Sequence, residues 1–164
     1  MMFTIQQPSK ADAPVIAALH VATWREAYGH LLPADFFSDK HLQERHEQWE
    51  QHLGSPGDEW TVRVARTREG LIGFAVAGPS SGPEGDCLPR ERQLYSLYVL
   101  AKNHGTGAGQ ALLDAVLGEL PSLLWVAKQN PRAIAFYRRN GFEFDGIEQS
   151  DPGAPSITDA RMVR

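Results

Sequence analysis

The residues of this chain best suited to chemistry lie in a short segment, His104-Gly-Thr-Gly-Ala-Gly-Gln110, which follows the apolar run Leu94-Tyr-Ser-Leu-Tyr-Val-Leu100. Glycines at 105, 107 and 109 remove the Cβ atoms that would keep a ligand away, so the amides of Gly105, Thr106, Gly107, Ala108 and Gly109 can turn inward together. A helix opening at Ala108 adds unpaired N–H groups and the positive end of its dipole, and the combination suits a phosphate or pyrophosphate. The spacing excludes two common phosphate binders. A dinucleotide fingerprint needs a third glycine where this chain has Gln110 or Leu112, and a nucleoside-triphosphate loop needs a Gly-Lys-Ser/Thr ending that is absent.

A second segment, Asn130-Pro-Arg-Ala-Ile-Ala-Phe-Tyr-Arg-Arg-Asn-Gly-Phe142, has the punctuation of a short helix. Asn130 is a good N-cap, Pro131 fits the first turn, and Gly141 is placed to end the helix in a left-handed conformation. With both segments in view, the x-x-G-x-G run from His104 to Gly109 resembles the acetyl-CoA-binding motif of the GCN5-related N-acetyltransferase (GNAT) superfamily. Asn130 to Phe142 resembles that superfamily's next motif, with its Asn, Ala, Phe-Tyr and Gly-Phe in the usual order. The resemblance covers roughly residues 60 to 146 well and the two ends more loosely.

The elements that must position these segments can be read from periodicity. Thr4 to Gln7 reads as a strand, and Asp12-Ala-Pro14 starts a helix carrying Ile16, Leu19, Thr23, Trp24 and Ala27. Tyr28 to Pro33 breaks it. Ser38 can cap a second helix with Leu42, Trp49 and Leu53 on one face and Gly54 at its end. Trp60 to Arg66 and Leu71 to Ala77 read as a hairpin, Pro79 to Arg90 as an irregular connection, and Leu94 to Leu100 as a strand. Ala108, Leu112, Ala115 and Val116 share a face of the third helix. Leu123 to Val126 is a short buried strand, the Pro131 helix follows, and Phe142 to Gly146 and Ile157 to Val163 close the chain as strands. This order agrees with the fold that the resemblance implies: α/β (α+β), with a mixed, mostly antiparallel central sheet of six to seven strands, about four flanking helices and splayed central strands.

Composition sets the outer limits. The 164 residues fit a single domain, 1–164, with 42% hydrophobic and 22% charged residues as in ordinary globular chains, and no apolar run approaches the ~20 residues of a membrane span. The N-terminus lacks a basic region and a signal-like apolar core, so a cytoplasmic location and no membrane partner are expected. Cys87 is the sole cysteine, which excludes an intrachain disulfide and leaves a thiolate metal site unsupported; it reads as an incidental loop thiol. His41, His46 and His52 lack the spacing of a zinc helix and read as solvated helix surface, so no metal is expected. A net charge of −4 gives no general attraction to nucleic acid and suits a cationic amine mildly better than an anion.

The resemblance implies the remaining assignments. It implies acyl transfer from the acetyl-CoA thioester to the primary amine of a small molecule by direct attack. The main chain of Leu97, Tyr98 and Val99 would line the pantetheine arm, with an amide near Val99 at the developing oxyanion. His104, Gly105, Thr106, Gly107, Ala108, Gly109 and Gln110 would form the pyrophosphate loop, and Asn130, Arg132, Ala133 and Tyr137 would complete the cofactor site. Tyr137 aligns with the tyrosine that protonates the departing thiolate, a fitting task because a phenol near pKa ~10 can donate to a thiolate near ~8.5.

An alkylammonium acceptor must lose a proton before attack, and the sequence does not declare the base. Gln93 stands where many relatives have Glu and cannot serve; Glu91 is one candidate, with Glu84, Asp86 and a water relay as the alternatives. His104 replaces a usual Arg or Gln, so the loop begins without a fixed cation, and Lys102, Arg132, Arg138 or Arg139 could compensate. Ala101 also stands in place of a usual proline. Trp24 and Tyr28 fall where relatives line the acceptor pocket. Relatives that acetylate ribosomal-protein N-termini carry Glu where this chain has Trp125, which disfavours that substrate. Peptide amines and a non-catalytic acyl-CoA sensor remain alternatives, and a homodimer is compatible with the resemblance.

Overall fold

A computed structural model describes residues 2–54, 57, 59–82, 87–151 and 154–164. The chain runs β1 (Thr4–Gln6), α1 (Ala13–Tyr28), α2 (Asp39–Gly54), β2 (Thr61–Thr67), β3 (Gly70–Pro79), β4 (Arg92–Val99), α3 (Ala108–Val116), β5 (Leu123–Ala127), α4 (Pro131–Arg139), β6 (Glu143–Asp151) and β7 (Ala154–Val163). The seven strands form one sheet in the order β1-β2-β3-β4-β5-β7-β6. Among the described residues, only the β4–β5 pair is parallel; every other neighbouring pair is antiparallel. No helix among the described residues is long and apolar enough to cross a membrane.

Helices cover both faces of the sheet, which is why β3 is buried almost end to end instead of alternating. On one face α3 and α4 pack Leu112, Leu113, Val116, Tyr137 and Phe142 against the sheet. On the other, Ile16, Ala17 and Leu19 of α1 and Trp49 of α2 meet Val64, Phe74 and Val76. Within α1 the buried Thr23 hydroxyl donates to the carbonyls of Leu19 (2.9 Å) and His20 (3.0 Å), so a polar residue sits in the core without an orphaned group. The approach of β3 to β4 is close: a Cβ on Gly73 would lie 2.8 Å from the Tyr98 carbonyl oxygen, tighter than a side chain tolerates.

Several expectations shift. Leu113, not Ala115, joins the buried face of α3. The histidines of α2 are not plain solvated surface: His41, His46 and His52 are half-buried, with the His41 ring 4.7 Å from Phe36 and His52 edge-on to Trp49 and Trp60. Burial holds His41 and His52 below the ordinary imidazole range. The closing hairpin extends beyond its apolar residues, because the polar stretch from Ile147 to Ser150 continues β6 as an exposed strand paired to β7.

His20 lies at the centre of the α1–α2 face. Its Nδ1 accepts the Trp49 indole N–H (3.3 Å), and its ring packs against Phe74 and Tyr98. An accepting Nδ1 makes the ring neutral with the proton on Nε2. Burial, reinforced by the charges of Arg45 and His41, lowers its pKa to about 3 from 6.5. A group depressed in this way contributes stability above the unfolded pKa and loses it as pH falls towards the folded one. We expect urea unfolding to lose about 2 kcal/mol between pH ~7 and pH ~5 through this residue. His20→Gln, which keeps an acceptor for Trp49 but cannot titrate, should flatten that slope; an equal slope in both proteins would reject the assignment.

Candidate active site

β4 and β5 are the central strands, and they part almost as soon as they meet. Their register comprises only Gln93 with Leu123 and Leu94 with Leu124, after which the strands diverge. Tyr95 is the extra residue of a β-bulge in β4, since Ala77 pairs with Leu94 and Val76 with Ser96, and bulges of this kind bend a strand away from its neighbour. Leu100 donates its N–H to the Ile72 carbonyl of β3 (2.9 Å), so the Val99 carbonyl in the same peptide plane points away from β3 and into the gap. By alternation Leu97 also presents its main-chain groups to the gap, whereas the Tyr98 main chain faces Phe74 of β3 and only its side chain is available.

The gap holds two connected spaces. The outer one, about 610 Å³, runs from Leu97 and Val99 of β4 past His104, Gly105 and Gly107 to the exposed side of α4, where Arg132 and Arg139 line it. The inner one, about 200 Å³, lies between the splayed strands and is walled by Trp24, Tyr28, Tyr95, Tyr98 and Trp125. Leu97, Tyr98, Asn130, Ala133 and Tyr137 line both, so the two are one cleft through the sheet with Tyr137 at its waist.

The glycine turn is built as its spacing predicts. Gly105 and Gly107 have φ of 80° and 90°, a region costly for other residues, and a Cβ built on either meets nothing within 4 Å. The turn therefore faces open space. Thr106 acts within the turn instead of lining the cleft: its hydroxyl donates to the Asn103 carbonyl (2.7 Å) and accepts from the Ala108 N–H (3.4 Å). Ala111 N–H closes on the Gly107 carbonyl (3.0 Å) to start α3. Glu26 of α1 accepts the Ala101 N–H (3.0 Å), a donor that a proline at this position would lack, and so holds the approach to the turn. Gln110 lines the cleft and donates to Asp114 (3.0 Å) and Asn140 (2.8 Å), bridging α3 to the end of α4.

His104 is exposed at the cleft mouth, and its Nε2 lies 3.0 Å from the Val99 carbonyl oxygen. A carbonyl only accepts, so Nε2 carries the proton. The imidazole thus covers one of the main-chain groups left open by the splay.

Asn130 caps α4 by accepting the Ala133 N–H (3.1 Å), and its amide donates to the Tyr28 hydroxyl (3.2 Å), tying the helix start to the end of α1. Tyr137 is buried and its pKa is raised by burial and by the neighbouring Tyr28. Burial raises Tyr98 likewise, with Tyr28, Tyr137 and Asp159 adding to it.

The other sequence-predicted residues divide clearly. Trp24 and Tyr28 line the inner space, their rings 4.9 Å apart. Glu91 is exposed and lines neither space; its carbonyl accepts the Ser80 N–H (2.9 Å). The strand entry turns it away from the cleft. Glu84 and Asp86 lie outside the described residues. Gln93 is buried and accepts the Ser81 N–H (3.2 Å), a structural role. Ser96 and Asp159 of the inner wall, and Glu26 of the outer one, were not singled out in the sequence, because long-range strand pairing and helix packing bring them there; Trp125 was noted only as standing where some relatives carry Glu.

Comparison with known proteins accords with this architecture. A family model described as "Acetyltransferase (GNAT) domain" matches residues 58–144. The chain is 30% identical over 168 residues to the uncharacterised N-acetyltransferase YuaI of Bacillus subtilis (strain 168), covering 93% of this chain and 91% of that protein. It is 29% identical to a probable N-acetyltransferase of Mycobacterium tuberculosis, covering 87% of this chain and 80% of that one. Among solved structures it is similar to a PaiA N-acetyltransferase from Thermoplasma acidophilum in complex with coenzyme A, with a TM-score of 0.72, 18% identity and 98% of each chain covered. It is also similar to a ribosomal-protein-alanine N-acetyltransferase from Brucella melitensis, with a TM-score of 0.68, 23% identity and 98% of each chain covered.

The double role of Asn130 is testable without any ligand. Asn130→Ala should cost about 1 kcal/mol in urea unfolding through the lost cap, and Asn130→Asp, which keeps the cap acceptor but not the donor to Tyr28, should recover most of it. Equal losses in the two variants would assign the stability to the Tyr28 bond instead.

Proposed function

The chain belongs to the GNAT acetyltransferase family, and from that premise we propose that it transfers the acetyl group of acetyl-CoA to the primary amine of a small molecule. The observation that carries this reading is the continuous cleft with Tyr137 at the waist between an open outer part and a narrow, aromatic-walled inner part.

The residues present fit the cofactor. An open cradle over Gly105 and Gly107, followed by the start of α3, offers convergent N–H groups to a pyrophosphate. Thr106, Ala108, Gly109 and Gln110 complete that loop, and Arg132 at the rim adds a cation for a phosphate. The Leu97 main chain and the Val99 N–H, on the gap side, are offered to an extended amide-bearing arm, with the Tyr98 ring, Asn130 and Ala133 beside it. When bound, acetyl-CoA supplies an activated thioester, and no protein nucleophile is required; Cys87 is exposed and lines neither space.

The chain's own residues then have separable tasks. The Val99 N–H, on the gap side with its carbonyl, is the donor for charge developing on the acyl oxygen. The Tyr137 hydroxyl, kept protonated by burial, is the acid for the leaving sulfur. The small inner space favours a small-molecule acceptor over a folded protein chain.

A thiol-release assay over a panel of amines tests this. Tyr137→Phe should lower kcat by about 100-fold with the acetyl-CoA KM within about threefold. Unchanged kcat would remove Tyr137 from the chemistry, and CoA binding with no release on any amine would describe a sensor instead. His104→Arg should tighten acetyl-CoA binding by calorimetry near pH ~8 by adding a fixed cation and uncovering the Val99 carbonyl. Unchanged or weaker affinity would reject that.

A further inference from the structure

Trp24, Tyr28, Tyr98 and Trp125 wall the inner space, and their rings are held by packing outside it. Trp24 of α1 stacks on Phe36, with centroids 6.0 Å apart and an interplanar angle of 19°, and meets the Tyr28 ring at 4.9 Å and 64°. Tyr98 of β4 leans on Phe74 and His20. Trp125 of β5 lies under the Arg161 guanidinium (5.9 Å), which is fixed in turn by Asp145 (2.6 Å). A ring that swung inward would lose that support, so the space is preformed. The lining residues between the rings include the small Ser96, Ala127 and Ala133, which leave about 200 Å³ of room.

We propose that the acceptor is a primary amine carrying a single aromatic ring, seated with the ring among Trp24, Tyr98 and Trp125 and with the nitrogen, on a short alkyl arm, at the waist beside Tyr137. The inference rests on the acetyl-transfer reading and names the acceptor class that this reading leaves open.

Size and ring chemistry both carry it. A cavity of about 150 Å³ holds benzene, so about 200 Å³ holds one ring with a short arm and excludes a fused two-ring body. Aromatic rings attract one another in edge-to-face and offset contacts, and this attraction adds to that of burial. Trp24 and Tyr28 already stand edge to face, so a third ring finds both a face and an edge. A saturated ring of the same outline is the more hydrophobic of the two and buries as much area, so burial alone would favour it. Preference for the flat ring is therefore a signature of the aromatic walls and not of the size of the space.

The test compares 2-phenylethylamine with 2-cyclohexylethylamine, which share charge, arm and ring size. In the thiol-release assay the phenyl compound should have the higher kcat/KM by about fivefold or more. Trp125→Leu should bring the two within about twofold, Trp125→Phe should keep most of the preference, and CoA affinity by calorimetry should be unchanged in both variants. Tryptamine, with its fused rings, should be about tenfold poorer than 2-phenylethylamine in the wild type and should gain on it in Trp125→Leu. Equal kcat/KM for the phenyl and cyclohexyl amines, or a preference that survives Trp125→Leu in full, would overturn the proposal.

Calorimetry in the presence of CoA, which carries no acetyl group to transfer, separates the site from the reaction. 2-Phenylethylamine should bind the wild type about fivefold or more tightly than 2-cyclohexylethylamine, and Trp125→Leu should erase the difference. If that difference holds while no amine releases thiol, the acetyl-transfer reading fails and the aromatic site stands. If both amines release thiol equally well, the acetyl-transfer reading stands and this inference falls.

Discussion

The parting of β4 from β5 beyond Leu94 and Leu124 is the constraint on which everything else in the molecule turns. A sheet covered on both faces by helices buries its strands, and a buried N–H or C=O without a partner costs about 1–3 kcal/mol. Two central strands can separate only if the exposed edges face a space wide enough for solvent or a ligand, or if something else reaches them. Both answers are present. The outer cleft opens at about 610 Å³ along Leu97 and Val99, and His104 turns back to donate to the Val99 carbonyl. A site that accepts an extended, amide-bearing ligand is therefore the same feature as a defect in the sheet.

Bulky side chains of β4 are anchored on the side of the sheet away from β5. Tyr95 enters at the bulge, while Tyr98 packs against Phe74 and His20 from the α1 side. Behind them the His20–Trp49 bond fixes α1 against α2, so the inner wall is backed by a layer that cannot easily repack. The Asn130–Tyr28 bond then joins α4 to α1 across the gap itself. The two halves of the cleft are held at a set separation by side chains where backbone ladders are missing.

Local signals carried the parts of this arrangement that are local. Glycines 105 and 107 had to be glycine for positive φ, and Asn130, Pro131 and Gly141 mark the ends of α4 by cap chemistry alone; each element end is where its residues place it. The order of strands and helices followed from periodicity for the same reason. What could not be read was adjacency between distant strands. Asp159 comes to line the same space as Tyr98 only because β7 pairs with β5, and nothing near residue 159 announces that pairing. Glu91, near the motif in sequence, was the natural candidate base, yet the entry to β4 leaves it outside the cleft. The half-buried histidines of α2 were misjudged because neighbouring aromatic rings, which come from other elements, decide their exposure.

The cleft also has an electrical direction. Arginines 132 and 139 stand at the outer end with the start of α3, and the carboxylate of Asp159 stands at the inner end. Solvent and salt weaken the field of the exposed arginines beyond a Debye length of about 8 Å, so they guide a phosphate-bearing ligand mainly on contact. Asp159 is half-buried in a space it shares with Trp24, Tyr28, Tyr98 and Trp125, so solvent screens it less than it screens the exposed arginines. The two ends of the cleft thus differ in the charge that lines them, arginines at the outer rim and a carboxylate at the inner wall.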